Sequence, residues 1–126
     1  MTQEQKDLLL KDLCARLPYN VKIKIKIYED IDEIDSIGTL RQLNKQYFWI
    51  LEDEYERCIE YNKPYLFPMS SMTEEQIKEF NSITQKCSTY IGKSILLTDF
   101  CNKHHIDWRG LIPMDLAIDA TGKNIY

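Results

Sequence analysis

One stretch limits the folds open to this chain more than any other. From position 21 to position 28, Val21, Ile23, Ile25 and Ile27 alternate with Lys22, Lys24, Lys26 and Tyr28. A period of two places the four β-branched residues on one face of a strand and the lysines on the other. A strand with one dry and one wet face belongs to an antiparallel sheet covered on one side only. The next residues supply partners. Glu29, Asp30, Asp32, Glu33 and Asp35 are interleaved with Ile31, Ile34 and Ile37. They read as a second strand with a wet face, its acids lying across from Lys22, Lys24 and Lys26. Gly38-Thr39 suggests a bend or bulge, with Leu40 and Leu43 continuing the strand. Asn44-Lys45-Gln46 reads as a turn, Tyr47–Leu51 as a third strand and Cys58-Ile59 as part of a fourth. Pro64 and Pro68 fence an extended piece, Tyr65-Leu66-Phe67, expected at the sheet edge.

Helices flank this run. Thr2 and Gln5 fit a capping box ahead of Leu9, Leu13 and Leu17, with Leu10 and Cys14 beside them. Pro18 stops that helix. Thr73, with Gln76 three residues on and Glu74-Glu75 between, opens a second helix whose buried stripe holds Ile77, Phe80 and Ile83. Residues 88–97, with Gly92 inside, carry no clear pattern. Thr98 and Asp99 read as the start of a third helix running to about His105, with Phe100 and Cys101 facing in. Grouped strands between helices imply an α+β fold: an N-terminal helix, an antiparallel sheet of three to four strands, then two or three C-terminal helices packed on one sheet face. At 126 residues the chain suits one domain, spanning 1–126, large enough for a core without disulfides.

Composition excludes several classes. A net charge of −4 argues against nucleic-acid binding through overall charge. The lysine row with Tyr28, Tyr47 and Trp49 offers a single-strand stacking reading, which the flanking acids oppose. No segment is apolar enough for a membrane span, and Met1–Lys6 lacks the features of a signal peptide, so a cytoplasmic protein is expected. Cys14, Cys58, Cys87 and Cys101 show no CxxC spacing and read as core thiols of a reducing compartment, with no zinc site.

Three segments stand out together: Leu8–Tyr19 (LLLKDLCARLPY), Pro68–Glu75 (PMSSMTEE) and His104–Ile112 (HHIDWRGLI). In this order they resemble a family of small uncharacterised proteins of gut Bacteroidales and of their prophages and mobile elements. That family usually has glycine after the Pro-Tyr pair, where this chain has Asn20, the next-best residue for a left-handed backbone. The resemblance spans nearly the whole chain, with residues 29–63 less like the family pattern. It implies a bacterial or prophage setting and no particular activity.

One cluster carries candidate chemistry: His104, His105, Asp107, Trp108 and Arg109. Imidazole and carboxylate together bind transition metals or exchange protons, and on a helix His104 and Asp107 would share a face. A hydrolytic metal site needs a third ligand, which no further histidine supplies. The other reading is architectural: histidines near the last helical carbonyls, Asp107 capping the next turn and Trp108 packing. The acids of 30–35 lack the glycine and distant glutamate of an EF-hand. No GxSxG surrounds Ser70-Ser71, and the four glycines form no phosphate loop. Two functions follow. One is a non-enzymatic protein-interaction or regulatory module, with an unknown protein partner or a second copy of itself and no cofactor. The other is a metal-dependent hydrolase using His104, His105 and Asp107.

Overall fold

The computed structural model describes residues 1–126. Helix α1 spans Gln3–Arg16 and opens with the expected capping box, in which Thr2 Oγ1 accepts the Gln5 N–H at 3.1 Å. Strand β1 (Lys22–Glu29) pairs antiparallel with β2 (Asp32–Leu43), which pairs antiparallel with β3 (Tyr47–Ile50) and β3 with β4 (Arg57–Cys58). On the other side of β1 lies β5 (Lys63–Leu66), antiparallel to it, and then β6 (Ile118–Asp119), parallel to β5. The spatial order in the six-stranded sheet is β4-β3-β2-β1-β5-β6. Helices α2 (Glu74–Lys86) and α3 (Tyr90–Lys103) follow β5 in sequence, before β6 closes the sheet. The fold is α+β.

The alternation of β1 works as its period demands. Ile23 and Ile25 are buried while Lys26 and Tyr28 are exposed. Leu9 and Leu13 of α1 join Val21, Ile23, Ile25, Leu40, Phe48, Ile50, Ile59, Leu66, Leu111 and Leu116 in the main core. On the wet face Lys24 meets Asp35 at 3.1 Å and Lys26 meets Glu33 at 3.4 Å, so two of the three expected cross-strand pairs form. Lys22 instead donates to Thr39 Oγ1 at 2.6 Å. Phe100, Cys101 and Ile106 form a second, smaller cluster with Met72, Phe80, Ile83 and Trp108 at its margin. The apolar residues of α2 and α3 thus gather in their own cluster beside the sheet's.

Several expectations change. The sheet has six strands rather than three or four: the fourth forms at Arg57–Cys58, the extended piece after Pro64 belongs to a full strand, β5, and β6 is a two-residue strand too short to leave a pattern. Tyr65 and Leu66 are not at the edge: β6 covers β5, and both residues are buried. The third helix begins at Tyr90 rather than Thr98, because Thr89 supplies the cap by accepting the Gly92 N–H at 3.1 Å. A Cβ on Gly92 would stand 2.7 Å from that hydroxyl, which accounts for the glycine inside the helix. Cys101 is buried and Cys58 and Cys87 are half-buried, but Cys14 is exposed, since it lies off the Leu9–Leu13 face of α1. Ile34 and Ile37, three apart, point to opposite faces of β2, so its two faces are less cleanly divided than those of β1. The strand runs straight through Gly38, and its register shifts between Leu40 and Gln42 instead. Asn20 holds the left-handed backbone expected of it, with φ 57°.

Gly38 is required for a different reason. A Cβ there would approach Ile50 Cδ1 and Cγ2 to 2.7 Å, so the glycine lets the fully buried Ile50 lie across β2. Gly38→Ala is expected to destabilise the protein by about 1–3 kcal/mol through overpacking. Urea denaturation with an unchanged midpoint would contradict this packing.

Candidate functional site

The segment after α3 brings the candidate residues to the junction of α1, α3 and the β5 end of the sheet. Helix α3 ends at Lys103, and His105 takes a left-handed conformation, φ 58°, that turns the chain back toward the sheet. Ile106 then bridges in parallel to Phe67. The Phe67 N–H donates to the His105 carbonyl and the Asp107 N–H to the Phe67 carbonyl, each at 2.8 Å. His104 and Asp107 therefore share no helical face, contrary to the sequence reading, because the helix has ended before them.

Each side chain of the cluster has its own neighbour. The His104 ring lies 4.7 Å from the Phe100 ring, with Nε2 3.8 Å from Glu79. His105 stacks on Tyr126, centroids 3.8 Å apart and planes 16° from parallel. The Tyr126 hydroxyl accepts the Lys22 N–H at 2.8 Å and donates to the Tyr65 carbonyl at 2.6 Å. Burial raises its pKa, so it stays a neutral phenol. Asp107 gives one carboxylate oxygen to the Leu111 N–H and the other to the Ile112 N–H, both at 2.8 Å. Trp108 Nε1 donates to Asn102 Oδ1 at 2.9 Å, and the Arg109 guanidinium lies over the indole at 4.1 Å. No group of three or more His, Cys, Asp or Glu side chains is placed to hold a metal ion. The hydrolase reading needed His104, His105 and Asp107 to converge, and they face three different neighbours.

The group that does gather side chains here lies on α1. Asp12 and Arg16 are fully buried. Arg16 Nε donates to Asp12 Oδ2 at 2.8 Å, Nη2 to the Ile106 carbonyl at 2.6 Å and Nη1 to the Cys101 carbonyl at 3.4 Å. Arg109 Nε stands 3.3 Å from Asp12 Oδ1, so one carboxylate faces two guanidiniums. Sequence reasoning singled out neither Asp12 nor Arg16. The signal was present: positions 9, 12, 13 and 16 form one helical face, and two of the four are charged and i,i+4 apart. Burial raises the Cys101 thiol pKa, against the opposing pull of Arg16.

The chain shows no match to any family model, curated protein or solved structure compared with it.

What this arrangement does chemically is hold. Asp12→Ala leaves Arg16 buried without its counter-charge and is expected to cost about 3–5 kcal/mol. Arg109→Ala removes the less buried of the two cations, leaves Asp12 its hydrogen-bonded partner Arg16, and should cost less than Asp12→Ala. Equal losses in chemical denaturation would mean that Arg16 is not the principal partner.

His105 makes the same junction sensitive to acid. Burial, then the nearby Arg16, His104 and Lys22, depress its pKa from 6.5 to about 4. A histidine with a depressed folded-state pKa favours the fold while neutral. Its contribution is full above about pH 6.5 and is lost as pH falls toward 4. The thermal midpoint should fall across that window. In His105→Asn, which tolerates the left-handed backbone, the midpoint should fall less between the same two pH values. Parallel curves for the two proteins would assign the acid sensitivity elsewhere.

Proposed function

We propose that this protein is a non-enzymatic protein-interaction module, acting in the regulatory setting of a bacterium or its prophage, with the α2–α3 hairpin as its docking face. The observation that carries the reading is how little of this hairpin is covered. Helix α2 contains no buried residue, although Ile77, Phe80 and Ile83 lie along it. Helix α3 turns Phe100 and Cys101 inward yet leaves Tyr90 85%, Ile91 73%, Ile95 57% and Leu96 45% exposed. A helix that is apolar on two sides ordinarily has neighbours on both. Contiguous exposed apolar surface of this kind marks interaction sites.

The shape of the face suits a helix. Met69, Phe80, Leu97, Cys101 and Trp108 line a groove of about 290 Å³ together with Ser94 and Thr98. Ser94 and Thr98 also line the shallow hollow beside Ile95, so the groove runs on to Ile95. An amphipathic helix of a partner, with large apolar side chains three and four residues apart, fits such a groove.

Ile91→Asp combined with Ile95→Asp tests this. Both sites are exposed, so the double variant should keep the wild-type thermal midpoint within about 0.5 kcal/mol of stability per site. Affinity capture from the native host should recover a stoichiometric partner with the wild type and not with the variant. Recovery of the same partner by both would remove α2–α3 as the face, and recovery of no stoichiometric partner by the wild type would remove the reading itself.

A further inference from the structure

Strands β1 and β2 pair all the way from Lys22/Thr39 to Glu29/Asp32, but their outer neighbours stop early. Strand β5 lies against β1 only at Ile23 and Lys24, and β3 against β2 only from Leu40 onward. Residues 25–29 and 32–38 therefore form a two-stranded arm with an unpaired edge on either side. Such a ribbon alone is marginal in water, and an unpaired edge is a template for another strand.

The two edges differ. The β2 edge carries Asp32, Glu33 and Asp35, an acidic row that opposes a second copy of itself. The β1 side of the arm has a lysine stem, Lys24 and Lys26, and an acidic tip, Glu29 at the strand's end and Asp30 in the turn beyond it, and so complements itself. Turned antiparallel about Tyr28, it brings the turn residue Asp30 at the tip of the second copy's arm beside Lys26, and Asp30 beside that copy's Lys26. The two tyrosines then form a cross-strand aromatic pair, with Ile27 facing Glu29.

There is room for the strand. Two hollows flank Lys26, and the second of them lies where β5 diverges from β1. One, of about 400 Å³, lies between Ile27 and Tyr28 of β1 and Asp53, Tyr55, Glu56 and Arg57 at the start of β4 and just before it. The other, of about 360 Å³, lies between Lys24, Lys26, Lys63, Tyr61 and Ile118. The aromatic and aliphatic residues around this edge are open to solvent: Tyr28 74%, Tyr55 72%, Tyr61 78% and, at the tip of the arm, Ile31 95%. Opposite charge, open hollows and uncovered apolar side chains coincide on one strand edge.

We propose that the β1 edge is a homodimer interface. The β1 strands of two copies pair antiparallel across a two-fold axis at Tyr28, and each acidic arm tip rests on the Lys24–Lys26–Lys63 cluster of the other copy. In-chain partners do not preclude this, since the ion pairs of Lys24, Lys26 and Lys63 are all on the surface and weakly held. The interface is separate from the α2–α3 face and stands whether or not that face binds a partner.

Sedimentation equilibrium of the full chain tests it. The wild type should be a dimer at micromolar concentration. Lys26→Glu and Asp30→Lys each set like charges together twice, and each alone should dimerise about tenfold or more weakly. Mixed in equal amounts, the two variants restore both opposite-charge pairs, and the mixture should dimerise as the wild type does. Asp30 sits at φ 56°, where lysine is strained. Asp30→Asn, which suits that backbone, should weaken dimerisation in the same direction by a smaller factor. A monomeric wild type, single variants as dimeric as the wild type, or a mixture of folded variants that stays monomeric would each overturn the proposal.

Discussion

A guanidinium taken out of water loses several kcal/mol of hydration, and the loss is recovered only when its N–H groups find fixed acceptors and its charge a counter-ion. Arg16 meets both conditions at full burial, through Asp12 on its own helix and the carbonyls of Cys101 and Ile106. Those carbonyls lie about 85 to 90 residues away in sequence. One side chain thereby ties the first helix to the end of α3 and to the strand-like residue that follows. The main core, by contrast, is built from α1, the sheet and the Leu111–Ala117 stretch, and it includes no residue of α2 or α3. The buried cation is what registers the helical hairpin against the rest of the molecule.

The segment from His104 to Arg109 takes its composition from the same demand. The chain must leave a helix, reverse at a left-handed residue, bridge to Phe67 and offer the Ile106 carbonyl to Arg16, all within four residues. Asp107 caps the turn that follows, Trp108 is fixed by Asn102, and Arg109 lies between the indole and the Asp12 carboxylate. A dense run of histidine, aspartate, tryptophan and arginine resembles a reactive site in sequence because both uses need polar groups held in defined directions. The difference lies in where the lone pairs point. Both Asp107 oxygens already accept backbone N–H groups.

Strand β1, the two capping boxes and the Asn44 turn were legible because each depends on residues within one or two turns of chain. What escaped was set by distant partners. Strand β6 exists because residues 118–119 pass beside β5, and nothing in Ile118-Asp119 announces it. The start of α3 was hidden by Gly92, whose use is to let the Thr89 hydroxyl close on the helix. Asp12 and Arg16 were missed for a plainer reason: charged residues in a leucine-rich helix are read as its wet face, and here two of them occupy the dry one.

The uncovered surfaces lie where the fold has least reason to leave them. A sheet can end its edges with short strands, as β4 and β6 do, and a helix can turn polar residues outward. This chain does the first at both outer edges of its sheet and then lets a central hairpin extend beyond its neighbours with isoleucine and tyrosine exposed. It follows the helical rule on α1, whose first turn is polar and whose leucines face the core, and departs from it on α3. Exposed apolar residues on a helix and a strand that belong to the same well-capped, well-registered fold are not explained by poor packing, since the buried positions around Ile50 and Arg16 are filled closely. We propose contacts outside the single chain as their explanation, one set for the arm and one for the hairpin.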